Sequence, residues 1–157
     1  MEKKPMSASR TIQTKIILPS DINHLQTIFG GHVLAYIDEI AAITAMKHAK
    51  TAVVTASIDS VDFLSKARVG EVLELEAVVS STGRTSMEVF VSVCSSNLLT
   101  GESNLTTESF LTMVAMDENN RPVPVPAIYP ETEAETKLFE SAPARKELRK
   151  QRRNMRH

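Results

Sequence analysis

The sequence has very little thiol chemistry, with one cysteine, Cys94, in 157 residues. A lone cysteine excludes an intrachain disulfide and fits a reducing compartment, so the expected location is the cytoplasm. The alternating segment around it, Met87 to Ser95, reads as ordinary strand without a neighbouring base, which makes Cys94 a buried structural thiol rather than a nucleophile. Long hydrophobic runs are missing as well. The most apolar stretch, Val33 to Met46, contains Asp38, Glu39 and Thr44 and is too short to span a bilayer, so no membrane association is expected. Met1 to Arg10 has no apolar run behind its lysines and does not read as a secretory signal. Neither sign of charge dominates, with 18 basic and 19 acidic residues, but the balance is uneven along the chain. Arg145 to His157 holds seven lysines and arginines against one glutamate, which leaves the remainder acidic. That basic run lacks interleaved aromatics and any groove-reading motif, so nucleic acid is not an expected partner. His24, His32 and His48 with Asp38 match no common metal-site spacing, and no metal is expected.

What is present describes one globular domain. An apolar fraction of 42% and a charged fraction of 24% are ordinary for a soluble protein of this length. Thr11 to Leu18 reads as a first strand stopped by Pro19, followed by turn residues Ser20, Asp21 and Asn23. Val33 to Lys47 has no proline or glycine and predicts a helix of about four turns, entered through a flexible Gly30-Gly31 pair. Its apolar residues spread around nearly the whole circumference, the pattern of a central helix enclosed by protein. Four strand-like segments follow. Ala52 to Leu64 places Val54, Ala56 and Ile58 on one face and changes phase at Val61 and Phe63, which predicts a bulge near Asp59 and Ser60. Glu71 to Ser80 turns Leu73, Leu75, Ala77 and Val79 inward, and Thr85 to Ser95 does the same with Met87, Val89, Val91 and Val93, leaving Glu88 outward. Leu105 to Met116 is the last strand, and the prolines at 122, 124, 126 and 130 make a stiff connector outside the sheet. A charged segment, helical from about Glu133 and weakly amphipathic through Leu138, Phe139 and Leu148, closes the chain. The fold class is α+β, one helix against an antiparallel sheet. Its divisions are a flexible 1–10, a folded domain over 11–126, and a charged, partly helical tail over 127–157.

Two groups of residues stand out chemically. Asp38 lies four residues after Leu34 and three and four before Ala41 and Ala42, an apolar setting on the enclosed helix. A carboxylate there must find donors, water or a raised pKa, because burying it unpaired costs many kcal/mol. Such a group either works chemically or is tied down at a subunit interface. The second is Phe29-Gly30-Gly31-His32 at the helix start, where unpaired amides meet residues with no Cβ to block a ligand. Read alone, the glycine pair is equally a turn, and His32 a first-turn polar residue.

In order, PSDINHLQTIFGGHVLAYIDEIAAITA resembles the signature of the hotdog-fold acyl-CoA thioesterases, in particular the bacterial short acyl-CoA hydrolases and the repeated domains of brain acyl-CoA hydrolase. The likeness continues through VVTASIDSVDFLSKARVGEVLELEAVV and GRTSMEVFVSV to FLTMVAMDENNRPVPVP, about Thr11 to Pro126. The resemblance implies an antiparallel sheet wrapped around one long helix, and it makes Asp38 the catalytic carboxylate, as general base or as nucleophile. It assigns the functional asparagine to Asn23, supplied by the partner subunit, and an oxyanion contact to the N–H of Gly31 and of His32. Where the family often has Asn-x-x-Gly, this chain has Asn23-His24-Leu25-Gln26, a departure that bears on the shape of the loop. For the CoA moiety, Gly30 lies at the site, Asp62 and Phe63 line the pantetheine channel, Lys66 and Arg68 add charge, and Arg84, Thr85 and Ser86 form a turn toward the nucleotide. An acyl-CoA substrate, a homodimer as the minimal active unit, a trimer of dimers and no cofactor are implied. Two other functions share the fold: a hydratase or dehydratase, which needs a histidine paired with an acid, and a non-catalytic acyl-CoA sensor. The basic Arg145 to His157 run is either a solvated tail or a means of attracting anionic CoA.

Overall fold

The computed structural model describes residues 1–156. Its main sheet has five strands: β2 (Thr11–Ile16), β3 (Ala52–Ile58), β4 (Val72–Thr82), β5 (Ser86–Ser96) and β6 (Ser103–Met116). They run in the order β2-β4-β5-β6-β3, every pair antiparallel. The curled sheet wraps one side of α1 (Gly30–Ala49). A two-residue strand, β1 (Lys4–Pro5), pairs in parallel with β7 (Ile128–Tyr129), and α2 (Glu133–Asn154) ends the chain.

The core follows from the period of two in β4 and β5. Leu73, Leu75, Ala77 and Val79 face the helix together with Met87, Val89, Val91 and Val93, and register pairs such as Leu75 with Val93 stack them in layers. Val33, Ile37, Ile40, Ala41 and Ala45 meet them from α1, all fully buried. Burying each such valine or leucine stabilises the fold by about 1.5 to 3 kcal/mol. The helix is enclosed on this side alone within one chain, since Ala35, Glu39 and Met46 are exposed on the other. It also begins earlier than Val33, because the glycine pair forms its first turn. It ends where Lys50 takes a left-handed φ of 59° and its N–H caps the Met46 carbonyl.

Several expectations need correction. The sheet pairing of β3 skips Ala56, so the bulge sits there and not at Asp59 and Ser60; the later phase change is the exit from the sheet. The bulge also splits the face shared by Val54, Ala56 and Ile58. Before the bulge Val53 packs against the core while Val54 is 47% exposed, and after it Ile58 packs inward, because one extra residue reverses which phase faces the helix.

The first ten residues are not loose. Met6 is fully buried, Ser9 donates to its carbonyl and accepts the Val79 N–H, and the Lys4 ammonium reaches the His48 carbonyl. Proline-rich 122–130, expected outside any sheet, supplies β7.

The basic tail is not simply solvated either. Thr132 caps α2 by accepting from Glu135 N, with Glu133 and Glu135 placed favourably in its first turn. Leu138, Ala142, Arg145 and Arg149 recur at helical spacing and press on the outer face of the sheet, whereas Phe139 and Leu148 point away. Glu88, expected outward and hydrated, is consequently 4% exposed. It accepts from Ser80, two nitrogens of Arg145 and one of Arg149. Burial pushes its pKa up, but the hydrogen bonds from Arg145, Ser80 and Arg149 outweigh that and hold it below the ordinary carboxylate range. Arg149 and Arg152 also bind Asp59, which fastens the exit of β3 to the same helix.

Candidate active site

The loop before α1 is built around Asn23. Its Oδ1 accepts from Leu25 N at 2.8 Å and more distantly from the N–H and hydroxyl of Thr27, while its own N–H donates to Thr27 O. Gln26 closes the turn with φ 65°, the left-handed conformation that glycine adopts without penalty. The missing glycine therefore leaves the turn intact at a cost of about 1 to 2 kcal/mol. Phe29 N–H donates to the Asp21 carbonyl, which sets the entry angle of the helix.

At the start of α1 the N–H of His32 is spent on the Phe29 carbonyl at 3.0 Å. No acceptor pairs with the amides of Gly30 or Gly31 among the described residues. Gly31 has open space at its Cβ position, so a carbonyl oxygen can approach its N–H freely. This narrows the expected oxyanion contact from two amides to that of Gly31. The His32 ring turns away to Asp21, Nδ1 to Oδ1 at 3.3 Å, and stacks obliquely on Phe29.

Asp38 lies seven residues beyond Gly31, which at 3.6 residues per turn returns to the same face two turns up. It is half-buried at the edge formed by β3, where its Oδ1 accepts the Thr55 hydroxyl at 2.7 Å. Thr55 is the carboxylate's hydrogen-bond partner, and sequence reasoning missed it because β3 offers apolar residues in both phases, so its helix-facing side was not identified. The observable signal was a polar residue whose phase, with Val53, pointed to the helix. No hydrogen bond joins Asn23 to Asp38 within the chain among the described residues.

The residues expected to bind CoA divide into separate groups. Gly30, Phe63 and Lys66 line a cavity of about 150 Å³ with Thr27, Val33 and Thr106. The Phe63 ring lies directly over Gly30, where a Cβ would come within 3.0 Å of it, so a side chain there would push the exposed ring aside. Asp62 and Arg68 are exposed nearby in sequence. Arg84 and Thr85 form the tip of a tight hairpin closed by Gly83 N to Ser86 O at 2.9 Å, with Arg84 exposed. Ser86 faces a different cavity on the outer surface, toward α2. Among the described residues no three of His, Cys, Asp or Glu gather as a metal site would require. No described helix is long and apolar enough to cross a membrane. Cys94 is half-buried rather than buried, and burial together with Glu74, Glu108 and Glu76 pushes its thiol up, away from nucleophilic character.

A curled antiparallel sheet around one helix, with a carboxylate and free amides on that helix's face, defines the hotdog class. Residues 25–101 match the thioesterase superfamily. An uncharacterised acyl-CoA thioester hydrolase of Bacillus subtilis is 46% identical over 144 residues, covering 92% of this chain and 84% of that protein. The crystal structure of an apo-hexameric acyl-CoA thioesterase is 67% identical, with a TM-score of 0.97 over 99% of this chain and 100% of that one. An acyl-CoA hydrolase of Staphylococcus aureus, solved with butyryl coenzyme A, coenzyme A and coenzyme A disulfide, is 46% identical with a TM-score of 0.92 over 96% and 92% of the two chains. The chain belongs to the acyl-CoA thioester hydrolases of the thioesterase superfamily. The Staphylococcus protein was also solved with alanine in place of an asparagine, an aspartate and a threonine, which lie 15 and 17 residues apart in turn.

Proposed function

We propose that this protein hydrolyses acyl-CoA thioesters to free CoA and a carboxylic acid, with Asp38 as the reacting carboxylate. The observation that carries the reading is the Asp38–Thr55 hydrogen bond on the helix face that begins at the free Gly31 amide. Asn23, Asp38 and Thr55 have the same 15- and 17-residue spacing as the three substituted positions of the Staphylococcus hydrolase. Thr55 fixes one carboxylate oxygen and leaves the other to take a proton from a water that attacks the thioester carbonyl, or to attack that carbonyl itself, expelling the CoA thiolate and forming an anhydride that water then hydrolyses. The Gly31 N–H stabilises the oxyanion that develops; losing such a donor costs about 3 to 4 kcal/mol of barrier in other enzymes. Departure of a thiolate, near the ordinary thiol pKa of about 8.5, needs no metal or cofactor.

Asn23 has its Oδ1 locked by its own loop and so presents its amide N–H groups outward. Coming from the partner subunit, it would orient the water or the carbonyl, which makes a homodimer the minimal active unit. The exposed far side of α1 suits burial in that dimer, and dimers assemble as a trimer of dimers in the cytoplasm. Gly30, Phe63 and Lys66 line the pantetheine path, with Asp62, Arg84, Thr85 and Ser86 nearer the nucleotide.

The decisive assay measures free thiol released from a panel of acyl-CoAs. CoA release across the panel supports hydrolysis, and none from any member defeats it; a hydratase or a sensor would release no thiol. Mixing Asn23→Ala and Asp38→Ala subunits is expected to restore partial activity, and no recovery in demonstrated mixed dimers would place the whole site within one subunit.

A further inference from the structure

A cavity of about 190 Å³ lies on the outer face of the sheet, between the C-terminal half of α2 and the β4–β5 hairpin. Its helix wall is cationic, made by Lys146, Arg149, Arg152, Arg153 and Arg156. Two of these charges are committed, Arg149 to Glu88 and Asp59 and Arg152 to Asp59. Lys146, Arg153 and Arg156 pair with no acid among the described residues. The sheet wall adds the hydroxyl residues Ser57, Ser81, Thr82, Ser86 and Thr112, and its one carboxylate, Glu88, is already enclosed by Arg145, Arg149 and Ser80.

Basic residues in the last turn of a helix offset its dipole, which accounts for Arg152 and Arg153 but not for Lys146, about two turns earlier and lining the same space. Three unpaired cations and five hydroxyl residues around a partly enclosed volume are the chemistry of a phosphate site. The helix that carries Lys146 and Arg153 is latched to the sheet through Glu88 and Asp59, and Arg156 follows its last turn. The cavity also adjoins the reacting edge. Ala56 and Ser57, which line it, directly follow Thr55, and β3 is the last strand of the sheet on that side.

We propose that this cavity binds a phosphate group of the CoA moiety, with Lys146, Arg153 and Arg156 as its cationic ligands. The inference rests on the acyl-CoA reading and gives that substrate an anchor on α2. Its test is the double substitution Lys146→Gln/Arg153→Gln in the full chain, at two exposed positions whose loss leaves the Glu88 and Asp59 latch intact. Kinetics on an acyl-CoA are compared with those on the matching S-acyl-pantetheine, which has the same thioester and no phosphate. The expected result is a KM for acyl-CoA raised about tenfold or more, kcat kept within about twofold, and kinetics on acyl-pantetheine unchanged. The dephospho-CoA thioester then identifies the group: equal loss on both nucleotide substrates assigns the diphosphate, and loss on acyl-CoA alone assigns the 3′-phosphate. An unchanged KM for acyl-CoA, or an equal loss on acyl-pantetheine, overturns the proposal. If the wild-type protein releases no CoA from any thioester, the acyl-CoA reading fails instead, and titration of CoA into wild type and variant decides the cavity by itself.

Discussion

The two faces of the five-stranded sheet are built on opposite physics. The inner face is a continuous apolar layer against α1, in which Leu75, Val89 and Leu111 have no polar obligations. The outer face is closed by charge: Glu88 sits among arginines of a helix that begins 45 residues later in the chain. Apolar burial depends little on pH or salt, whereas the buried carboxylate depends on partners that must all be present. Asp38 stands at the edge of the sheet formed by β3, with the Thr55 hydroxyl as its partner.

The sharpest division between chemistry and scaffold comes from Asp38→Asn, which should lower turnover by about 10² to 10⁴-fold while leaving the melting temperature and oligomer size unchanged. Full activity in that variant would remove Asp38 from the reaction. On the inner face, Leu75→Ala should cost about 2 to 5 kcal/mol in denaturant unfolding, with little dependence on salt. On the outer face, Glu88→Gln should cost less, about 1 to 3 kcal/mol, and the loss should shrink in acid as the wild-type carboxyl itself protonates. An equal response of the two variants to pH would erase the distinction drawn between the faces.

Acid should weaken the fold in two stages. Burial lowers the His48 pKa from its ordinary 6.5, although the Pro126 carbonyl opposes this, so its contribution is complete above 6.5 and is lost as pH falls through the depressed value. Glu88, depressed from 4.5, contributes in full above 4.5 and loses its contribution below that, as pH falls through its folded value. His48→Gln should remove the first stage alone, as followed by thermal melts across pH. The smallest effect is expected at Gln26→Gly, a gain of about 1 kcal/mol from relief of the left-handed strain, read as a rise in melting temperature of about 2 to 4 °C.

The inner face was legible in the sequence because a period of two in β4 and β5 records burial directly, and a helix without a polar stripe announces its central place. The resemblance located Asp38 and the glycine pair on that helix. Three features were hidden for physical reasons. The face of β3 was ambiguous because Val53 and Val54 offer an apolar residue to either side, so the threonine that holds Asp38 was not singled out. Glu88 looks like any outward strand carboxylate until Arg145, 57 residues away, is folded over it. Met6 lies in a polar decapeptide in which it is too isolated to form a pattern.

The short pairing of Lys4–Pro5 with Ile128–Tyr129 makes the first residues and the proline-rich stretch before α2 answerable to each other. A chain trimmed to begin at Thr11 would strip β7 of its neighbour and take away the ammonium that sits on the final turn of α1. Trimming at Pro126 would do the same from the other side, so the shortest segment that carries the family signature is not the shortest segment that holds its shape.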